Sequence, residues 1–229
     1  MSNGLKVKKR DGRVQNIDLE KMHIMVDAAC QGLAGVSASQ VEIQSGIQFY
    51  DGITTAEIQE ILIRSASDLI DEEHPNYQFV AARLLLFGLR KQLFGLTWDH
   101  PTFYAQITRC VEEGVYDPEV LNNYTEEELN TIGEWIDHDR DLLFTYAGLR
   151  QVVDKYLVQD RSTGEVYETP QFMYMMIATT IFARYPKEFR LSYIRKYYNA
   201  ISKHKINIPT PIMGGVRTPL RQFASCVLV

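Results

Sequence analysis

The pattern of apolar and polar positions in the first 95 residues predicts a short hairpin followed by four helices. Residues 5–17 alternate in polarity and are interrupted by Asp11-Gly12, the dipeptide that best suits a two-residue hairpin turn. After this segment, apolar residues recur at intervals of three and four, which is typical of helices with one buried face. The four helices are expected to begin after Asp18, Ser37, Thr54 and Pro75.

Polar residues at the predicted helix starts indicate how the first backbone amides are satisfied. Asp18 is expected to cap the first helix. Ser37 with Gln40, and Thr54 with Glu57, have the spacing of a capping box, in which each side chain accepts from the backbone N–H of the other residue across the first turn. These features predict sharply defined helix boundaries.

Residues 96–208 show the same helical periodicity and predict a second, all-helical region. Thr125 and Glu128 fit another capping box, and residues 156–167 fit a small hairpin. Pro170 suits the first turn of a helix whose Phe172–Phe182 segment is apolar on nearly every side, so this helix is expected to be deeply buried. A last helix is expected from about Lys187.

The final stretch, residues 209–229, has a different character. Three prolines and the pair Gly214-Gly215 exclude a long helix in its first part, so a shaped loop is expected. Phe223–Val229 is small, apolar and rich in β-branched residues, which is typical of a strand buried on both faces. Because such a strand needs a crossover connection to a parallel neighbour, the chain is expected to be completed by a sheet outside it.

Composition narrows the function classes. With a formal charge of -5, the chain lacks the basic surplus that nucleic-acid binding usually requires. The apolar run at residues 172–182 is far shorter than the roughly 20 residues of a membrane span, and the polar N-terminus does not resemble a signal peptide. We therefore expect a cytoplasmic protein without membrane or nucleic-acid partners.

Charge is distributed unevenly, however. Residues 1–21 contain six Lys or Arg and three acids, a local surplus of +3 in an acidic protein. This basicity on a hairpin indicates an anion site, although lysines that protect an exposed strand edge would give the same pattern.

Cysteines and the acidic run do not indicate a metal. Cys30, Cys110 and Cys226 are widely spaced and form neither a disulfide framework nor a zinc motif. Residues 137–141 hold three aspartates and a histidine, but neighbours on a helix point in different directions and do not converge on one ion. No metal site is expected, and Cys30 and Cys110 are interpreted as packed thiols.

The basic hairpin and four helices, with Lys9-Arg10-Asp11-Gly12, Asp18-Leu19-Glu20-Lys21 and Arg83–Lys91 at these spacings, resemble the ATP-cone, a regulatory nucleotide-binding module. The resemblance implies ATP as an allosteric effector, with no covalently bound cofactor. The implied contacts are Lys9, Val14, Gln15, Asn16, Ile17, Asp18, Leu19, Glu20, Lys21, Thr55 and Lys91.

Three positions depart from the ATP-cone pattern. Gln59 and Gly88 stand where well-regulated relatives tend to carry histidines near the nucleotide, and Ala28 replaces a bulky aromatic residue. The expectation is that ATP binding is kept while inhibition by dATP is weak or absent.

The run from Pro209 to Val229 resembles the point where the large, catalytic subunit of class I ribonucleotide reductase enters its barrel. The resemblance implies that Cys226 is one of two thiols that reduce the ribose, and that Thr210 and Ser225 contact the nucleoside diphosphate. It also implies an all-helical domain before the barrel.

The expected fold is therefore mainly α, of the α+β class. An ATP-cone of a β-hairpin plus four helices occupies residues 1–95, an all-helical domain occupies 96–208, and residues 209–229 form the loop and first strand of an α/β barrel that is otherwise missing.

The resemblance implies an enzyme that converts ribonucleoside diphosphates to 2′-deoxyribonucleoside diphosphates. The implied partners are the rest of the barrel, a radical-generating small subunit that carries the radical cofactor, and a thioredoxin or glutaredoxin system. Whether the chain is a natural half of a split enzyme or a part of a longer one stays open, and by itself it is expected to be inactive. The alternatives are a non-enzymatic nucleotide sensor, which usually adds a zinc-ribbon cysteine set that this sequence lacks, and a helical interaction protein without a ligand.

Overall fold

The computed structural model describes residues 5–220 and 223–224. The chain divides into two compact units, one formed by Met1–Leu89 with Leu142–Arg150 and the other by Arg90–Asp141 with Gln151–Val229.

A three-stranded sheet forms the start of the first unit. β1 (Lys6–Lys8) pairs antiparallel with β2 (Val14–Asn16), which confirms the predicted hairpin, and parallel with the two-residue β3 (Ile53–Thr54). The Lys9 N–H also donates to the Arg13 carbonyl at 2.8 Å, so the turn consists of residues 10–12. It is therefore one residue longer than the two-residue turn that was predicted. β3 was not predicted.

Four helices follow the hairpin along the chain: α1 (Leu19–Cys30), α2 (Ala38–Gly46), α3 (Thr55–Asp68) and α4 (Tyr77–Phe94). Their apolar faces supply the core of the first unit, where Val26, Val41, Leu62 and Leu84 are fully buried. The boundary between the units falls inside α4, at Leu89. All four helices were predicted.

Two of the three predicted helix caps in this unit are confirmed. The Asp18 carboxylate accepts from the Lys21 N–H at 3.1 Å, and Thr54 with Glu57 forms a complete capping box. The Ser37–Gln40 capping box is wrong, because Ser37 makes no side-chain cap bond. The Gln40 side chain instead accepts from the Tyr77 hydroxyl, whose oxygen in turn accepts from the Ser37 N–H at 3.0 Å.

Helices also dominate the chain beyond α4, as predicted. They are α5 (Phe103–Glu112), α6 (Glu119–Asn123), α7 (Glu126–Gly133), a 3-10 helix (His138–Leu143), α8 (Tyr146–Lys155), α9 (Pro170–Ile181), α10 (Lys187–Ser202) and α11 (Thr210–Gly215). Every residue of α9 from Pro170 to Thr179 is buried, which confirms the expected central helix. The Thr125–Glu128 capping box of α7 is also confirmed.

Two predictions about loops need correction. The expected hairpin at residues 156–167 is reduced to one antiparallel bridge between Gln159 and Val166. The expected loop after Pro209 contains the short helix α11, which tolerates Pro211 because the first turn of a helix leaves its amides unpaired. Of the predicted strand Phe223–Val229, residues 223 and 224 belong to no regular element, and the rest lies outside the described residues.

Two of the three carboxylates in the acidic run at residues 137–141 have protein partners. Asp137 pairs with Arg140 at 3.1 Å. The fully buried Asp141 lies 3.5 Å from Arg90 and accepts from the Gln171 amide at 2.9 Å, and burial raises its pKa to about 7 despite the nearby arginine.

Within the part of the chain that the structure describes, no helix is both long and apolar enough to cross a membrane.

Candidate functional site

The basic hairpin carries several cations that form no ion pair within the described residues. In β1 the Val7 side chain is buried, while Lys6 and Lys8 lie on the exposed face. Among the described residues, no carboxylate pairs with Lys6, Lys8, Lys9 or the neighbouring Arg10. Such a group of unpaired cations favours an anionic ligand.

The N-terminus of α3 lies directly beside these lysines. β1 and β3 are paired in register, with Lys8 opposite Thr54, and Thr54 is the N-cap of α3. Thr55, a predicted contact, is the first residue of the helix. Amides at a helix start carry partial positive charge and bind phosphate groups. The sheet therefore brings Lys8, Lys9 and Thr55 to one corner of the first unit, called the hairpin corner below.

Glu57 already occupies part of this corner. Its carboxylate accepts from the Thr54 hydroxyl at 2.6 Å, the Thr54 N–H at 2.8 Å and the Tyr50 hydroxyl at 2.7 Å. These hydrogen bonds, those of Thr54 first, lower the pKa of Glu57 to about 2. Because Glu57 stays ionised and offsets the charge of the helix start, the lysines must supply most of the attraction for a ligand.

The predicted contact segment 14–21 forms the adjoining wall. Val14, Gln15 and Asn16 make up the exposed strand β2, and Ile17 holds its end to β1 by donating to the Leu5 carbonyl at 2.8 Å. Asp18 caps α1, of which Leu19, Glu20 and Lys21 form the exposed first turn.

Lys21 differs from Lys9 in one respect that matters for a phosphate. The Lys21 ammonium lies 3.2 Å from the Asp18 carboxylate, and hydrogen bonds from Lys21 lower the pKa of Asp18. The Asp18 carboxylate therefore competes with an anionic ligand for the Lys21 ammonium. Lys91, in the last turn of α4, belongs to the second unit, and its association with the hairpin stays a prediction.

Gln59 and Gly88, two of the three departures from the ATP-cone pattern, face each other in the first unit. A β-carbon on Gly88 would lie 3.0 Å from the Gln59 Cγ. The Gln59 amide donates to the Leu84 carbonyl at 2.7 Å and so lies along the face of α4 that Gly88 leaves open. The two substitutions are therefore spatially coupled, which their sequence separation of 29 residues does not reveal.

In the second unit, Thr210 is exposed at the start of α11, and its hydroxyl lies 3.5 Å from the Tyr156 hydroxyl. A groove of about 600 Å³ runs beside α11 and is lined by Tyr156, Lys155, Arg161 and Gly214, among others. Ser225 and Cys226, the other two residues predicted around the substrate, lie outside the described residues.

A buried ion pair next to this groove was not predicted. Arg217 and Glu168 are both fully buried and paired, with the Arg217 Nε 3.0 and 2.9 Å from the two carboxylate oxygens. The Tyr116 hydroxyl donates to the same carboxylate at 2.5 Å, and burial raises the pKa of Tyr116 well above its usual value. A separation of 49 residues leaves no local pattern that could have indicated the pair.

Cys30 and Cys110 have the properties of packed thiols. Cys110 is buried, and desolvation raises its pKa to about 12. Cys30 is half-buried, and the same effect raises its pKa to about 11. Since the thiolate is the reactive form, both cysteines are unreactive near neutral pH.

Two family models match the chain. The ATP cone domain matches residues 5–92, and the ribonucleotide reductase all-alpha domain matches residues 142–221. The first match covers the hairpin corner and α1 to α4 up to Gln92, and the second covers α8 to α11.

Similarity to individual proteins extends over the whole chain. Subunit alpha of ribonucleoside-diphosphate reductase 1 from Salmonella typhimurium, and that from Escherichia coli, are each 51% identical over 229 residues. The chain therefore has an ATP cone domain and a ribonucleotide reductase all-alpha domain, and over its whole length it is similar to the N-terminal region of ribonucleoside-diphosphate reductase alpha subunits. A relative from Enterobacteria phage T4 is 42% identical over 227 residues, 98% of this chain and 29% of that protein. The chain spans about 30% of the length of the two bacterial relatives, and corresponds to the N-terminal region of the family.

Proposed function

We propose that this chain forms the N-terminal part of a class I ribonucleotide reductase large subunit and contributes to the reduction of ribonucleoside diphosphates to 2′-deoxyribonucleoside diphosphates. The observation that carries the proposal is the 51% identity over all 229 residues to reductase alpha subunits. The remaining part of the α/β barrel comes from sequence outside this chain, and a cytoplasmic, reducing setting suits the thiol chemistry.

The first unit supplies the regulatory role. ATP binds at the hairpin corner, where its phosphates meet Lys9 and the start of α3 at Thr55. Lys91 is a further phosphate contact on the ground of the ATP-cone resemblance alone. Residues 14–21 surround the rest of the nucleotide. Support comes from the ATP cone match and from the absence of a carboxylate partner for Lys9 within the described residues.

We expect the regulatory module to respond to ATP but not to be inhibited by dATP. Gln59 and Gly88 lack the ring nitrogens that histidines would offer a nucleotide, and a switch requires that an effector bind two states with different affinity. ATP binding without dATP inhibition follows.

The C-terminal segment supplies part of the catalytic site. Thr210 and Ser225 hold the nucleoside diphosphate, and Cys226 together with a second thiol on the rest of the barrel reduces it. The two thiols give up two hydrogens and become a disulfide, while the 2′-hydroxyl leaves as water and a hydrogen takes its place. A small subunit provides the radical that starts the reaction, and thioredoxin or glutaredoxin returns the disulfide to two thiols.

The test uses the reductase assembled from this chain, the complementing barrel polypeptide and the small subunit. Cys226→Ser is expected to abolish multiple turnover while assembly and ATP binding are kept, and Cys110→Ser serves as the matched control with an inert thiol. After one turnover without reductant, mass spectrometry should find Cys226 disulfide-linked to the barrel polypeptide. A free Cys226 thiol after a completed turnover would refute the role.

A further inference from the structure

Helix α11, which begins with Thr210, is not held by its own packing. No residue of α11 is buried, although the helix carries one of the residues proposed to hold the substrate. A six-residue helix with two prolines nearby and two glycines has little intrinsic stability, because short helices depend on tertiary contacts. Something outside the helix must fix its position.

Arg217, two residues beyond the helix, provides this attachment. Its guanidinium donates to the Met213 carbonyl in the last turn of α11 and to the Tyr156 carbonyl at 2.7 Å, and it pairs with Glu168. Its own carbonyl accepts from the Asp117 N–H at 2.9 Å. Arg217 thus connects α11 to three other stretches of the second unit, two through its side chain and one through its backbone.

The partners of Arg217 are themselves fixed. The Glu168 carboxylate accepts from the Val158 N–H at 2.7 Å and from the Tyr116 hydroxyl at 2.5 Å, in addition to Arg217. Burying both charges is costly and is offset only when all their hydrogen bonds are made in one geometry. Such a pair contributes little net stability compared with apolar packing, but it tolerates only one position of the helix.

The geometry points to Arg217 as a positioning residue for substrate binding, and this inference rests on the proposed role of Thr210. The Arg217 guanidinium donates to the backbone carbonyl of Tyr156 and so holds that residue in place. The Tyr156 hydroxyl in turn lies 3.5 Å from the Thr210 hydroxyl. Arg217 therefore sets where Thr210 stands, and it acts on the nucleoside diphosphate through Thr210 without touching it.

The test is a double-mutant cycle in the assembled reductase, with KM for the ribonucleoside diphosphate as the readout. Thr210→Val and Arg217→Met are each expected to raise KM roughly tenfold or more, since small misplacements of a binding group have effects of this size. Because both act through the same contact, the double variant should have about the same KM as either single variant. Additive effects would overturn the inference.

Loss of stability is separated from loss of positioning by two further variants. Arg217→Met combined with Glu168→Leu replaces the buried pair with apolar side chains, a change that often leaves stability unaffected. Its KM is expected to stay raised even where its melting temperature equals that of the native enzyme. A native KM at a native melting temperature would overturn the inference.

Arg190→Met is the matched control. Arg190 is also buried, pairs with Glu128 at 2.5 Å and donates to the Asn123 carbonyl at 2.9 Å, but none of these contacts involves α11. This variant is expected to lower the melting temperature and leave KM unchanged; an increase in KM like that of Arg217→Met would mean that KM reports stability alone and would overturn the inference.

Two outcomes distinguish the inference from the function on which it rests. If Thr210→Val leaves KM unchanged, the proposed substrate contact is wrong. If Thr210→Val raises KM and Arg217→Met does not, the positioning role alone is wrong. Should Arg217→Met fail to fold, Arg217→Lys takes its place in the cycle, because an ammonium cannot donate to Glu168, Met213 and Tyr156 in the same geometry.

Discussion

Charge changes at the hairpin corner should alter ATP affinity in opposite directions. Lys9 has no carboxylate partner among the described residues, so Lys9→Ala removes a full charge-assisted contact, worth about 1.5 to 3 kcal/mol or roughly 10- to 150-fold in Kd. The Asp18 carboxylate competes with phosphate for Lys21, and an exposed ion pair of this kind is worth about 0.2 to 1 kcal/mol. Lys21→Ala should therefore weaken ATP binding by about 0.2 to 1 kcal/mol less than Lys9→Ala does.

Asp18→Asn gives the more decisive result. Asparagine caps a helix as well as aspartate does, so α1 is kept, while Lys21 loses the partner that competes with phosphate. We expect this variant to bind ATP more tightly, by roughly 1.4- to 5-fold, the same 0.2 to 1 kcal/mol expressed as affinity. Weaker binding by Asp18→Asn would refute the argument that Asp18 restrains Lys21.

Isothermal titration calorimetry at one fixed ionic strength measures these affinities, since salt screens exposed charges. Lys205→Ala, which removes an exposed lysine from the second unit, is the control for net charge and should leave Kd unchanged. Equal affinity of the native chain and Lys9→Ala would remove the hairpin from the nucleotide site.

Three further predictions concern other parts of the chain. With Gln59 and Gly88 in place of histidines, reductase activity should stay nearly flat as dATP is raised at saturating ATP and substrate; a steep fall would contradict this. Cys110, with a pKa of about 12, should be about one ten-thousandth thiolate at pH 8 and resist alkylation until the chain unfolds; mass spectrometry showing rapid modification of the native chain would contradict it. Burial lowers the pKa of His138 to about 3, and that of His100, stacked on it at 3.8 Å, to about 4, so folding free energy contributed by the neutral rings is lost as pH falls below about 6.5. In urea denaturation, His138→Phe should lose about 2 kcal/mol less stability than the native chain between pH 7 and pH 5, and equal losses would contradict the assignment.

The sequence by itself determined the elements whose causes are local. Asp11-Gly12 specifies a chain reversal, and Gly12 adopts the positive φ of +83° that the turn requires. Asp18 and the Thr54–Glu57 pair determine where helices begin, because their partners lie within one turn. Apolar positions spaced at helical intervals were sufficient to predict α1 to α4 and the buried centre of α9.

Tertiary structure decided the features that join distant residues. Gln40 was expected to complete a capping box with Ser37. Its side chain instead accepts a hydrogen bond from the hydroxyl of Tyr77, which lies 37 residues further along the chain. The two-residue strand β3 is too short to leave a pattern and exists because β1 offers it an edge.

The same limit applies to the candidate site. The types of residue at the hairpin were visible in the sequence, but the pairing of Lys8 with Thr54, which brings the lysines to the start of α3, was not. Arg217 and Glu168 are separated by 49 residues and appeared as ordinary charged positions until the fold buried them together. Local propensity acts over a few residues, whereas the free energy of a buried charge is set by whatever partner the whole chain brings to it.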